Sequence, residues 1–299
     1  MATRYIDPTT DFGFKRLFGQ EQSKDVLKGF LEAILALPAP IADLRFIPTE
    51  QLSPGADDRI GVYDVYCTDV EGRRFIVEMQ RNRQANFKER ALYYLTFPIA
   101  QQVEKGSIFI TLLPIYSISI LRFRLDDTPA YLRRVQLCDV ATGSVFYDKL
   151  TLVIIELPKF TQPLSADLTP ADQWIYLLQQ LPTLDAMPPE LAAAPFARAF
   201  ELAAEAALSP EERRSYEANL KRVRDDASIL ETARQAAREE GLQEGREEGR
   251  EEGLQEGREE AKLDVARRML AVGLPLATIA TLTDLSEAEL HRLADDQQA

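Results

Sequence analysis

Residues 62–81, VYDVYCTDVEGRRFIVEMQR, constrain the fold more than any other stretch, because apolar and polar side chains alternate on both sides of one short turn. A period of two marks strands with one buried face. Between the two runs, Glu71-Gly72-Arg73 offers a glycine that can take the positive φ of a tight loop with a bulge. The pattern predicts an antiparallel hairpin. On its second strand Phe75, Val77 and Met79 share an apolar face, while Ile76, Glu78 and Gln80 share the other. Centred on Gly72, the hairpin sets Asp64 opposite Gln80 and diagonal to Glu78, so that three polar groups converge. The same register pairs Tyr63, Val65 and Cys67 with the odd-numbered apolar set, and a slip of one residue would drive Asp64 into the core.

An Asp on one strand with Glu-x-Gln on its neighbour resembles the E-x-Q form of the PD-(D/E)XK nuclease pattern. Four ordered motifs carry the resemblance: DFGFKRLFG at 11–19, the Asp64 strand, EMQ at 78–80 and ELPKF at 156–160. They cover about the first half of the chain, which is similar to the recombination-promoting nuclease (Rpn) and transposase-type family of that superfamily. The resemblance implies an α/β fold, a mixed sheet flanked by helices, here followed by an all-helical C-terminal region. It further implies a Mg²⁺- or Mn²⁺-dependent DNA endonuclease and a setting in recombination, mobile elements or phage defence. Asp64, Glu78 and the Met79 carbonyl would hold the metal. Gln80 stands where most of the superfamily has Lys and would position water or the scissile phosphate. Gln brings neither cationic charge nor a base near neutral pH, so Lys15 or Arg81 would have to compensate.

Composition narrows the chemistry independently. The chain has two cysteines, Cys67 and Cys138, and one histidine, His291. That excludes zinc fingers, histidine-based nucleases and a Cys–His nucleophile, and leaves oxygen ligands, which favour Mg²⁺ or Mn²⁺. Cys67 falls on the apolar face and reads as a packing residue. The formal charge of −13 is uneven, since residues 239–260 hold ten Glu against three Arg. Basic residues gather after the hairpin instead, at Arg81, Arg83, Lys88 and Arg90, where a phosphate backbone would run. No apolar run approaches the ~20 residues that cross a bilayer, and MATRYIDPTTDF lacks a signal-peptide core, so a cytoplasmic protein is expected.

Along the chain, DFGFKRLFG reads as a short helical turn. An amphipathic helix follows from about Ser23 to Leu37, with Val26, Leu27, Phe30, Leu31, Ile34 and Leu35 on its apolar face and Pro38 and Pro40 ending it. The resemblance implies that a first-helix acid can supplement the site, which makes Asp11, with Lys15 one turn on, a candidate; the alternative is that Asp11 caps the helix. Residues 43–50 read as a first strand and the hairpin as the second and third. Asn86 opens a helix to about Glu104, with Ala91, Tyr94, Leu95, Ile99 and Val103 inward and Gly106 near its end. Apolar runs at 107–124 and 150–157 supply further strands. This order makes the site an exposed sheet face beside the helix after the hairpin. The expected division is a nuclease-like domain over 1–165, a helical region over 166–237, an acidic segment over 238–262 with glycine at every fourth position, and a small helical segment over 263–299. Trp174 reads as core.

The glycines at 241, 245, 249, 253 and 257 form a slow spiral stripe that lets another helix approach, which makes the chain a candidate homo-oligomer; the alternative is a solvated, partly helical acidic linker. The last segment has the rhythm of a helix-turn-helix, with Ser286-x-x-Glu289 as a capping box and Gly273 and Pro275 as a break. Few basic residues lie on its second helix, so a small oligomerising bundle competes with a groove reader. A catalytically inactive DNA-binding or assembly protein that keeps the nuclease fold is the rival to the endonuclease reading.

Overall fold

A computed structural model describes residues 4–37, 39–51, 61–103 and 110–296. It divides into two compact units, Met1–Val223 and Arg224–Ala299. In the first, the strands are β1 (Leu44–Phe46), β2 (Glu50–Gln51), β3 (Gly61–Val62), β4 (Val65–Asp69), β5 (Arg74–Gln80), β6 (Ile115–Leu121), β7 (Leu132–Cys138) and β8 (Val145–Glu156). Six of them form one mixed sheet in the order β1-β4-β5-β6-β8-β7, and β2 pairs β3 separately. The β5–β6 and β6–β8 pairs are parallel and the other three antiparallel.

The β4–β5 hairpin has the predicted parity but not the predicted centre. Val65 pairs Val77 and Tyr66 pairs Ile76, so the ladder is centred on Glu71 and continues to bring Asp64 level with Glu78 rather than Gln80. The loop explains the two-residue slide. Gly72, at φ 79°, is the last residue of a three-residue loop, not its middle. Asp69 closes that loop: its Oδ1 accepts from the N–H groups of Glu71 at 3.0 Å and Arg73 at 2.9 Å. A shift of two leaves every paired side chain on its face. Tyr63 is the exception. Pairing stops at Val65, the alternation lapses at Asp64, and Tyr63 packs with Tyr66 and Ile76 on the opposite side of the sheet from Val65 and Cys67.

One sheet face, with Val65, Cys67, Phe75, Val77, Ile118, Ile120, Val153 and Ile155, forms the main core with α1 (Asp11–Phe18), α2 (Lys24–Leu35), α4 (Pro170–Gln180) and α5 (Phe196–Ala203). Trp174 is buried there against Phe18, Phe30 and Phe196, as expected of a core residue. All six apolar residues predicted for α2 are buried. Burial also pushes the Cys67 thiol up. Pro38, predicted to end α2, lies outside the described residues, and the helix has already stopped at Leu35, with Ala36 left-handed at φ 44°.

The other face is covered by α3 (Phe87–Ala100), which buries Phe87, Leu95, Phe97 and Pro98. Val103, expected inside, lies past the helix and is exposed. The predicted end at Glu104, Gly106 and the start of the 107–124 run lie outside the described residues. The sheet face carrying the candidate site is therefore not exposed, as the element order implied, but roofed by α3. Strand β7 was not read from the sequence; its residues are half-buried or exposed, so no apolar run marks it.

Helix α6 spans Pro210–Ala271 without interruption. In the second unit, Ala266 packs with Ile279, Leu285, Leu290 and Leu293 of and around α7 (Leu276–Thr283) and α8 (Glu287–Asp296). Gly273, at φ 77°, provides the predicted break. The Ser286 N–H donates to Glu289 Oε2 at 2.8 Å and the Glu289 N–H to Ser286 Oγ at 3.4 Å, which is the predicted capping box. His291 is exposed. No helix among the described residues is long and apolar enough to cross a membrane.

Candidate active site

Three local structures converge on the C-terminal end of β5. The first is the turn before α1. Thr10, not Asp11, caps that helix, its Oγ1 accepting from the Gly13 N–H at 3.1 Å. Gly13 is required here, since a Cβ would lie 2.1 Å from the Asp7 carbonyl oxygen. Gly13, Phe14, Arg16, Leu17 and Phe18 are buried, so most of DFGFKRLFG is a packing motif. Its exposed members, Asp11 and Lys15, form a 3.0 Å ion pair. Asp11 joins Thr9, Phe14, Asp64, Met79, Gln80, Arg81, Asn82 and Gln84 around a cavity of about 200 Å³.

The second is the irregular entry to β4. Asp64 bends out of the ladder and its Oδ2 accepts from the Met79 N–H at 2.7 Å. The N–H and C=O of a strand residue leave by the same edge, so the Met79 carbonyl also leaves β5 on the Asp64 side. Burial raises the Asp64 carboxyl above its ordinary value, the Met79 N–H opposes this, and the Asp11 charge adds to the rise while Lys15 and Arg90 pull it down. Asp11 and Lys15 thus act on the Asp64 carboxyl in opposite directions.

The third is the even-numbered face of β5 beneath α3. Glu78 is only 8% exposed. Its Oε2 accepts from Gln80 Nε2 at 2.9 Å, while Oε1 is buried with no hydrogen-bond partner. Burial pushes this carboxyl up to about 8, and the neighbouring Asp64 charge adds to the shift while Arg90 opposes it. Arg90, on α3, donates to the side-chain carbonyls of both Gln80 and Gln84, and its guanidinium lies 5.7 Å from the Tyr94 ring centre. It is therefore tied into the site rather than projecting freely toward a backbone. Arg81 turns toward the α1 entry, where it bonds Thr9 Oγ1 at 2.7 Å. Arg83 and Lys88 are exposed.

The sequence reading missed Thr9, Asp7 and Arg122. Arg122 follows β6 directly, and only the parallel register with β5 brings it beside Arg81; no periodicity within either strand reports that. Glu156 of ELPKF is a different case. It is fully buried and accepts from Arg133 Nη2 at 2.6 Å, Lys159 Nζ at 2.8 Å and the Leu125 N–H at 2.7 Å, so it holds the end of β8 in place.

The donor set fits a hard divalent cation. The Asp64 charge favours protonation of Glu78, and one buried Glu78 oxygen has no hydrogen-bond partner; a cation relieves both conditions. Among the described residues no group of three or more His, Cys, Asp or Glu side chains could hold a metal. Asp64 and Glu78, with the Met79 carbonyl, are the groups that could hold such an ion, provided it keeps several of its waters.

Two acids and a Gln grouped at the end of a central strand, in a mixed sheet with helices on both faces, resemble the site of a PD-(D/E)XK nuclease. The profile described as PD-(D/E)XK nuclease family transposase matches residues 8–233, and the chain belongs to that family. A second profile, the C-terminal HTH domain of the Rpn/YhgA-like nuclease family, matches residues 259–295. The resemblance drawn from the four N-terminal motifs is thus borne out, and it extends into the tail, where only a helix-turn-helix rhythm had been read. No curated protein and no solved structure matches the chain.

Proposed function

We propose that the chain is a Mg²⁺- or Mn²⁺-dependent DNA endonuclease whose centre is Asp64, Glu78 and Gln80. The observation that carries this reading is the buried Glu78 Oε1 without a partner beside a second carboxylate. Left alone that arrangement costs stability, and a cation-binding site accounts for it. The bound ion would supply Lewis-acid stabilisation of the developing phosphate charge and an activated water. Asp64, Glu78 and the Met79 carbonyl would hold it. Gln80 spends one amide N–H on Glu78 and its carbonyl on Arg90, which fixes the side chain and leaves a second N–H for the attacking water or a phosphate oxygen. It carries no charge. Lys15 and Arg90 are the cations that act on the carboxylate pair.

Lys88 and Arg83, both exposed, would contact the phosphate backbone without reading bases, with Arg81 turned toward Thr9. Lys88→Ala should weaken binding equally for unrelated sequences and lower the salt slope by roughly one. The HTH-type tail would add DNA affinity, and the word transposase in the family description supports a setting in transposition. We also propose that the tail associates copies of the chain. A Cβ added at Gly241, Gly245, Gly249, Gly253 or Gly257 would meet nothing within 4 Å, so packing among the described residues gives no reason for these costly helix residues. Sedimentation of the full chain against one ending at Ala237 tests this, and equal monomeric masses would refute it.

The decisive experiment for the enzyme is plasmid nicking by wild type and Asp64→Asn, with Mg²⁺, with Mn²⁺ and with chelator. Nicking that needs metal and is lost in the variant is expected. A variant that binds Mn²⁺ and cuts like wild type would sink the reading and leave a DNA-binding or assembly protein on a nuclease fold.

A further inference from the structure

The parallel register that places Gln80 also creates a second cationic feature. Gln80 of β5 pairs Leu121 of β6, and the Arg122 N–H donates to the Gln80 carbonyl at 2.9 Å. The next residue on each strand is an arginine, so Arg81 and Arg122 emerge side by side at the carboxyl ends of two parallel strands, the edge at which open α/β sheets bind ligands. Like charges so placed repel one another. Burial lowers the proton affinity of Arg122, and Arg81 adds to that effect.

A single carboxylate answers the pair. Asp7 Oδ2 lies 3.3 Å from Arg81 Nη1 and 3.5 Å from Arg122 Nη1, both long for a charge-assisted bond. The other oxygen, Oδ1, is engaged by the Thr9 N–H at 2.8 Å and the Thr9 hydroxyl at 2.6 Å. The remaining acceptor is Thr9 Oγ1, which takes a bond from Arg81 Nη1 at 2.7 Å and from Arg122 Nη1 at 2.9 Å. Each guanidinium carries five N–H donors. Among the described residues, the side-chain bonds of both arginines go through Nη1, so the cluster has donors in excess and one uncompensated positive charge.

The cluster also has room and a connection. Asp7, Thr9 and Arg122 line an open cavity of about 320 Å³ together with Leu157, Leu178 and Gln179. Thr9 lines the Asp64–Gln80 cavity as well, together with Arg81. The two spaces therefore share the Thr9 wall, and the Arg122 side chain is 42% exposed toward solvent.

We propose that Arg81, Arg122 and Thr9 form a subsite for a phosphate group of the nucleic-acid strand, next to the scissile phosphate that a cation at Asp64 and Glu78 would meet. Two guanidinium forks beside one hydroxyl match the tetrahedral oxygens of a phosphate ester. The subsite rests on the nucleic-acid reading above, and it fixes which part of the strand reaches past the catalytic cavity. Asp7 holds the arginines in place when no phosphate is bound and competes with it when one arrives. The phosphate is either internal to the backbone or the terminal group of a strand end, and the two make different demands on the test.

The test is equilibrium binding of a short fluorescent duplex of arbitrary sequence, with and without terminal phosphates, to the full chain in chelator across a range of salt. Arg122→Gln should weaken binding about tenfold and lower the salt slope by roughly one, with Arg122→Lys recovering part of the loss. Asp7→Asn keeps an oxygen for the Thr9 N–H but removes the competing charge, and should bind more tightly than wild type. An equal loss for both duplexes in Arg122→Gln assigns the subsite to a backbone phosphate; a loss confined to the phosphorylated duplex assigns it to a strand end. Unchanged affinity and slope in an Arg122→Gln protein that melts like wild type overturns the proposal. Should that variant fail to fold, an Asp7→Asn protein that binds no more tightly than wild type overturns it equally. Since no cleavage is read, a protein that never nicks plasmid can still support the subsite, and one that nicks can refute it. Wild type that binds no duplex at any salt overturns the nucleic-acid reading and the subsite together.

Discussion

Glu78 and Glu156 lie buried in the same sheet, and their surroundings are opposite. Glu156, 0% exposed, has Arg133, Lys159 and a backbone N–H on its two oxygens, with Asp126 completing the network at 2.9 Å from Arg133. Glu78 has neutral donors alone, the Gln80 amide and the Asp64 N–H, with Oε1 left without a hydrogen-bond partner and a second carboxylate for a neighbour. A buried carboxylate answered by cations secures the chain around it. One left half-answered next to a like charge is a place where folding stability has been given up, and such places are where binding and catalysis concentrate.

Activity should separate the two acids most sharply. Glu78→Gln should lower the nicking rate by at least about a thousandfold, and pairing it with Asp64→Asn should cost scarcely more, as for groups that act as a unit. Glu156→Gln, assayed well below its melting temperature, should nick at a rate near wild type; equal losses from both substitutions would erase the contrast. Stability should reverse the order. Removing the Glu156 charge leaves Arg133 and Lys159 with Asp126 as their one carboxylate partner among the described residues and should cost about 3 kcal/mol in chemical denaturation, and a loss under about 1 kcal/mol would show that the network is not the anchor described.

Smaller effects sharpen the picture further. On the proposed positioning role, Gln80→Ala should slow turnover by about tenfold while leaving Mn²⁺ affinity nearly unchanged; a fall in affinity as large as the fall in rate would instead make it a ligand. In metal-free protein Glu78→Gln should be as stable as wild type below about pH 8, where the Glu78 carboxyl is protonated, and up to about 1 kcal/mol more stable above it, where the substitution removes a buried charge repelled by Asp64. Saturating Mn²⁺ should raise the melting temperature of wild type and not of this variant. A metal-free variant that melts well below wild type would mean that Glu78, like Glu156, serves the fold.

What the sequence determined by itself was whatever rests on short-range physics. Alternation assigned Phe75 and Val77 to one face and Ile76 and Glu78 to the other, the helical period picked out the six buried residues of α2, Gly72 marked a positive φ, and Ser286-x-x-Glu289 marked a helix start. Each depends on dihedral preferences and side-chain direction over a few residues, which a chain carries wherever it goes. The family motifs belong here too, since DFGFKRLFG and EMQ are contiguous. What only the tertiary structure decided was where distant segments meet. The loop closed by Asp69 slid the hairpin by two and set Asp64 against Glu78. Helix α3 roofed the face expected to be open, burying Glu78 and drawing Arg90 onto Gln80, and the parallel register of β5 with β6, strands separated by more than thirty residues, put Arg122 beside Arg81. The composition of a strand constrains its face but not its partner's register, because backbone hydrogen bonds are the same at every register; the choice falls to packing and turn geometry contributed by the rest of the chain.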